Sequence, residues 1–187
     1  MILVTGGTGY LGGILCNYLT QEKFDIKIAT RNIVSKKKPN LCQIDLLNEQ
    51  NLDLISRNTE AVIHLAAMND SECNANSDKA KLVNEIGTKN LLDAIIKNKV
   101  KKFIYFSTSH VYGKNLIGNV SEKVNPMPIS NYAITHHNAE KHILDMLEYE
   151  QIDYLILRLS NVVGVPTSDK VKCWHLVVND FCKQAIE

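Results

Sequence analysis

Charge of one sign is what this 187-residue chain has least of: 21 Lys and Arg stand against 20 Asp and Glu, a formal net charge of +1. Without a basic surplus there is no electrostatic footprint for nucleic acid, and neither a polyanion nor a membrane surface is implied as a partner. Long hydrophobic runs are missing as well. The apolar opening "MILV" breaks at Thr5 and Gly6, far too short for a signal peptide or a membrane span. Cys16, Cys42, Cys73, Cys173 and Cys182 stand apart, with no C-x-x-C pair and no Cys/His cluster. That argues against a bound metal and against a disulfide framework, and points to a reducing, cytoplasmic compartment. Internal repeats and low-complexity segments are also absent.

What is present is an ordinary globular composition, 45% hydrophobic and 22% charged, at a length that suits one domain or one domain and the start of another. Short β-branched runs at 1–5, 25–30, 41–44, 61–66, 101–107 and 154–160 read as strands. Between them, 11–21, 48–57, 78–99 and 131–150 read as helices, the third from the apolar spacing of Leu82, Ile86, Leu91, Ala94 and Ile95. Alternation of strand and helix predicts right-handed crossovers and an α/β fold, a doubly wound parallel sheet covered on both faces. The run "SKKKPN" at 35–40 reads as a solvated loop, and 118–131, with two prolines, as an irregular connection.

The first chemical signal is "VTGGTGYLGG", where Gly6, Gly9 and Gly12 follow a strand and open a helix. Glycine permits the tight turn, the approach of backbone to a pyrophosphate and close packing of helix on strand, while the helix start presents free N–H groups to phosphate. No Lys-Ser/Thr pair follows, so the turn is not a nucleoside-triphosphate P-loop. A dinucleotide is the expected ligand. At the end of the second strand a carboxylate would accept the ribose hydroxyls of NAD, but Thr30, Arg31 and Asn32 stand there. Arginine pairs well with a 2′-phosphate, which favours NADP with NAD possible; the alternative is that Arg31 caps the strand or stacks on adenine.

Several further motifs appear in a familiar order: Asp45 after the third strand, "HLAA" at 64–67, "LVNEIGTKNLLDA" at 82–94, "YFSTSHVYG" at 105–113, Tyr132 and "LRLSNVVG" at 157–164. In this the chain resembles the extended short-chain dehydrogenase/reductase family, and within it the NAD-dependent epimerase/dehydratase group that acts on nucleotide sugars. The resemblance runs from Met1 to about Gly164. It implies that Tyr10 and Leu11 lie by the pyrophosphate, that Asp45 and Leu46 flank the adenine, and that Leu65, Ala66 and Ala67 line the cofactor. It places Asn84 toward the nicotinamide and makes Thr108, between Ser107 and Ser109, the hydroxyl that positions the substrate oxygen. His64 is read as a strand-end residue.

The resemblance makes Tyr132 the acid/base, since moving hydride to or from a sugar carbon requires a proton to move on the attached oxygen. A free tyrosine, with a pKa of about 10, is too weak a base at neutrality. The family places a lysine four residues later to favour the phenolate and hold the nicotinamide ribose; here His136 stands in that place and no shift of register recovers the lysine. Histidine still has an N–H for a ribose hydroxyl, but its charge is lost near neutrality. Dehydratases of the group carry an acidic pair just after the catalytic hydroxyl, where this chain has Ser109 and His110, so epimerase or ketoreductase chemistry is favoured over dehydration.

The resemblance also implies a nucleotide-sugar substrate and a homodimer through the helices at 78–99 and 131–150. Residues 1–164 are expected to form the dinucleotide-binding domain and 165–187 the start of a truncated or minimal substrate region, ending in an amphipathic helix with Val177, Val178, Phe181 and Ile186. A cofactor-binding regulatory or redox-sensing protein, or an inactive fragment, are the alternatives to an NAD(P)-dependent enzyme.

Overall fold

The computed structural model describes residues 1–31, 40–169, 171, 173–174 and 176–186. Most of the expected 35–40 loop and Asn32 lie outside the described residues. Six strands, β1 (Ile2–Thr5), β2 (Ile26–Thr30), β3 (Leu41–Gln43), β4 (Ala61–His64), β5 (Lys102–Thr108) and β6 (Asp153–Leu159), form one sheet in the order β3-β2-β1-β4-β5-β6. Every pairing is parallel, as the alternating pattern predicted. The chain winds outward from β1 to β3, returns to β4, and winds outward the other way. Right-handed crossovers therefore place the two halves' helices on opposite faces, and a crevice opens where β1 and β4 diverge.

The helices are α1 (Tyr10–Gln21), α2 (Glu49–Ser56), α3 (Asp70–Ala75), α4 (Ser77–Ala80), α5 (Gly87–Lys97), α6 (Asn131–Leu147) and α7 (Val177–Gln184). Helix α2 packs on α5 and α5 on α6. This layer closes the larger core, where Leu52, Leu91, Leu92, Ile95, Phe103, Ile143 and Leu147 are buried. Full burial of each such side chain contributes about 1.5–3 kcal/mol. Helix α1 packs on β1 and β2 and closes a smaller core of Val4, Cys16, Leu19, Ile26, Ile28 and Ile63.

Two expectations are corrected. The segment 78–99 is not one regular helix: α4 runs into a π-helical turn, Lys81–Ile86, before α5. Residues 70–75, where no helix was expected, form α3, which starts on a capping box in which the Asn69 side chain accepts from the Glu72 N–H and the Glu72 carboxylate accepts from the Asn69 N–H. Each satisfies an N–H that a helix start leaves open, so a single-turn element persists. The connection at 118–131 carries no strand or helix until α6 begins at Asn131, as expected.

Candidate active site

The glycine turn joins β1 to α1 and holds its shape by contact. Gly6 has φ +70°, and a Cβ there would meet the Leu65 and Ala66 backbone; a Cβ at Gly12 would run into the carbonyl oxygen of Gly6. Helix α1 then starts at Gly9 with no side-chain cap, which leaves its first N–H groups, those of Tyr10, Leu11 and Gly12, directed out of the helix end. Beside this end lies a cavity of about 820 Å³, within the range of small-molecule sites. Gly6, Gly9, Arg31, Leu46, Leu65, Ala66 and Ala67 line it. Asp45 is not among the lining residues: its carboxylate accepts the Leu47 N–H at 2.9 Å and closes a local turn. The arrangement fits a dinucleotide, since anionic phosphate would meet uncapped N–H groups and an apolar wall would meet the adenine.

A second wall comes from the other end of the chain. Thr167, Ser168 and Val171 line the same cavity across from Gly13 and Asn17. The Tyr10 phenol donates to the Gly164 carbonyl at 2.7 Å and accepts from Asn179 Nδ2 at 3.0 Å, while Asn179 Oδ1 accepts the Gly164 N–H at 3.3 Å. Tyr10 thus contributes its backbone to the helix start and its side chain to a clasp on α7. Helix α7 buries the polar Asn179 and exposes Val177, Val178 and Phe181. Nothing in the amphipathic pattern pointed to Asn179.

Tyr132 opens the first turn of α6, where Ser130 caps the helix by accepting the Ala133 N–H. Its phenol is pushed up from the ordinary value, first by burial, while the neighbouring Thr108 hydroxyl at the end of β5 opposes the shift. Thr108 is therefore the hydroxyl beside the phenol. Ser107 is turned the other way and donates to the buried carboxylate of Glu140. One turn on, the His136 and Tyr132 rings lie with centroids 4.2 Å apart, so the i, i+4 spacing does bring them together.

His136 differs from what its position implied. It is 2% exposed, and burial depresses its pKa to about 4 against the weaker pull of the Tyr132 carbonyl and Glu140. Nδ1 lies 2.9 Å from that carbonyl. A carbonyl only accepts, so Nδ1 carries the ring proton and Nε2 is left as a lone pair. At neutral pH His136 is an uncharged acceptor, the opposite of an ammonium donor.

Asn84 sits in the π-helical turn, buried, with its amide spent inside the protein: Oδ1 accepts the Met68 N–H at 2.7 Å and Nδ2 reaches Thr135 Oγ1 at 3.2 Å and the Met68 carbonyl at 3.3 Å. It ties the chain after β4 to α6. His64 ends β4 inside a relay. The Thr88 hydroxyl donates to the Asn84 carbonyl at 2.6 Å and accepts from His64 Nε2 at 3.0 Å, and His64 Nδ1 accepts from the Thr5 hydroxyl at 2.6 Å. Burial holds His64 near a pKa of about 3. It is a buried, neutral strand-end strut, in keeping with the sequence reading.

Sequence reasoning missed Glu140 and Arg158. The guanidinium of Arg158 on β6 forks onto Glu140 with N–O distances of 2.7, 3.0 and 3.2 Å, a charge-assisted pair that raises the Arg158 pKa. Glu140 follows His136 by four residues, so its place on the same helix face was readable; its partner was not.

A doubly wound sheet with a glycine turn, a dinucleotide-sized cavity and a buried hydroxyl beside a half-buried phenol defines a nucleotide-dependent α/β protein. More narrowly, residues 2–181 match the model of the NAD dependent epimerase/dehydratase family, and the chain belongs to that family. It is 30% identical over 171 residues to a UDP-glucose 4-epimerase of Vibrio cholerae, covering 87% of this chain and 52% of that protein. Among solved structures, a UDP-glucose 4-epimerase of Thermotoga maritima with UDP-glucose matches at TM-score 0.84 and 28% identity, over 98% of this chain and 62% of the other. A UDP-glucuronic acid 4-epimerase of Bacillus cereus in complex with NAD matches at TM-score 0.83 and 27% identity, over 99% of this chain and 62% of the other. The chain spans about half the length of the curated relatives it matches. No described helix is long and apolar enough to cross a membrane.

Proposed function

We propose that the chain is the cofactor-binding and proton-transfer part of an NAD(P)-dependent oxidoreductase or epimerase acting on a nucleotide sugar. The observation that carries this is the half-buried Tyr132 phenol beside the Thr108 hydroxyl, at the same end of the sheet as the glycine turn. Nicotinamide, when bound, would accept and return a hydride. The protein's own part is the proton: Thr108 and Tyr132 hold the sugar oxygen, and Tyr132 takes or gives its proton at the phenol oxygen. Backbone N–H groups of Tyr10, Leu11 and Gly12 would hold the pyrophosphate, with Leu46, Leu65, Ala66 and Ala67 along the adenosine.

Because burial raises the phenol and His136 supplies no charge, Tyr132 is poised as an acid. Reduction of a keto-sugar meets a ready proton, whereas oxidation waits for deprotonation and quickens as pH rises. His136→Lys places a cation beside the phenol and is expected to lower its pKa, speeding oxidation at neutral pH by about tenfold or more. Ultraviolet titration of tyrosinate and NAD reduction by UDP-glucose read both effects. Tyr132→Phe is expected to abolish turnover; cofactor binding by the native protein without turnover of any nucleotide sugar would sink the enzyme claim. The neutral His136 is the observation that favours the alternative, a nicotinamide-binding regulator with little catalysis.

Arg31 lines the cavity at the end of β2, which supports acceptance of NADP as well as NAD. Arg31→Ala is expected to weaken NADPH far more than NADH in a binding titration. A homodimer through the outward sides of the π-helical turn and α6, where Leu82, Ile134 and Leu144 are exposed, would be removed by a sedimentation result showing only monomer. Residues 165–187 would begin the substrate-binding region. All five cysteines are free thiols, which supports a reducing, cytoplasmic setting.

A further inference from the structure

His64 is a buried titratable side chain that the scheme above gives no work, and the bonds around it run in one direction. The Ala66 N–H, in the wall of the cavity, donates to Thr5 Oγ1 at 3.3 Å. The Thr88 hydroxyl spends its proton on the Asn84 carbonyl at 2.6 Å, so it accepts from His64 Nε2 at 3.0 Å. Nε2 therefore carries the ring proton, and Nδ1 takes the Thr5 hydroxyl at 2.6 Å. Asn84 passes the series on: its Nδ2 donates to Thr135 Oγ1 at 3.2 Å, and that hydroxyl donates to the Tyr132 carbonyl at 3.0 Å. Every donor points the same way, from the cavity wall to the turn of α6 that carries Tyr132. Thr5, His64, Asn84, Thr88 and Thr135 are no more than 4% exposed. Water does not compete for these bonds, and in such surroundings each strengthens the next.

We propose that His64 is a positioning residue of this site: through Thr88 and Asn84 it couples the cavity wall at Ala66 to the turn that holds Tyr132, so that occupancy of the cofactor site moves the phenol. The inference rests on the reading of the cavity as a dinucleotide site. Thr5 and His64 are neighbours across β1 and β4, and one bond between them would serve the sheet alone. The second bond, to Thr88, leaves the sheet and leads to the π-helical turn. A neutral imidazole does this with one rigid ring, accepting on one side and donating on the other. A side-chain amide carries its oxygen and nitrogen on a single carbon, so it does not span the same gap. Coupling of this kind is reciprocal: what the ligand does to Tyr132, a change at Tyr132 does to the affinity for the ligand.

The test uses ADP, which carries the adenosine and pyrophosphate but no nicotinamide to touch the phenol. The full chain is isotope-labelled at the tyrosine ring carbon that bears oxygen and followed by nuclear magnetic resonance. The Tyr132 signal, one of seven, is assigned by its loss in Tyr132→Phe. Adding ADP is expected to shift that signal in the native protein. Thr88→Val, which keeps the shape and removes the hydroxyl, is expected to bind ADP as well as the native chain does and to lose the shift; Thr88→Ser is expected to keep it. His64→Gln, expected to lose the shift too, serves where Thr88→Val does not fold. With NAD and UDP-glucose, Thr88→Val is expected to lower kcat by about tenfold with KM little changed. A merely structural strut would lower the melting temperature and leave the ADP shift intact. That result overturns the inference, as does ADP binding to the native protein without any shift. No binding of ADP overturns the dinucleotide reading and the coupling with it. An ADP shift lost in Thr88→Val, in a protein that turns over no nucleotide sugar, sinks the enzyme reading and upholds the coupling.

Discussion

His136 shows how far a single residue's surroundings can reverse the meaning of its position. Its ring is buried against Tyr132 and Tyr105 and gives its proton to a backbone carbonyl, so the usual histidine cation does not form. The cost appears in acid. His136 and His64 are held at about 4 and about 3, below the ordinary 6.5 of the unfolded chain. Between those values the unfolded chain binds more protons than the native protein, so stability is complete above about pH 6.5 and falls as pH drops through 6 and 5 toward 4. Each histidine steepens the fall by up to about 1.4 kcal/mol per pH unit. Melting temperature measured across this range should decline, and His136→Gln should flatten the decline even if it lowers stability at neutrality. A melting temperature unchanged from pH 7 to pH 5 would contradict the burial argument. That Tyr132 and His136 share a face was legible from their spacing. The tautomer and charge were not, because Tyr105 and Glu140, which surround the ring, come from packing over long sequence distances and a later turn.

Among the elements, the glycine turn is the part most fully legible, since its constraints are local. Gly12 lies against the Gly6 carbonyl, so Gly12→Ala must push α1 away from β1. The expected result is a loss of about 1–3 kcal/mol in chemical denaturation, with NAD affinity weakened by at least tenfold in titration calorimetry because the helix N–H groups are displaced. Unchanged affinity would mean that the helix start does not hold the ligand. The strands were readable within two residues at each end, as their apolar runs are short and bounded. Helix α3 was missed although its start signal, Asn69 followed by Glu72, was in plain view. The π-helical turn was not readable, because one added residue per turn leaves the apolar spacing from Leu82 to Ile95 close to that of a single helix. Its effect is structural: it brings Asn84 into reach of Met68 and Thr135.

At the scale of the whole molecule, the order β3-β2-β1-β4-β5-β6 puts the first strand of the sequence in the middle of the sheet and the last at its edge. The doubly wound architecture was legible from alternation alone. What alternation did not reveal is how unevenly the layers are filled, with three helices over the larger core and α1 over the smaller one. Strand β1 has buried side chains and a partner on either side, whereas Leu155 on β6 is 50% exposed. Amide exchange follows the free energy of local opening. Deuterium labelling should therefore rank the strands by their place in the sheet: β1 and β4 last, β3 and β6 first. Equal labelling of β6 and β1 would show that the sheet opens only as a unit. Seen this way, the protein is a clock read from the rim inward, and the residues that would touch phosphate hang from its slowest strand.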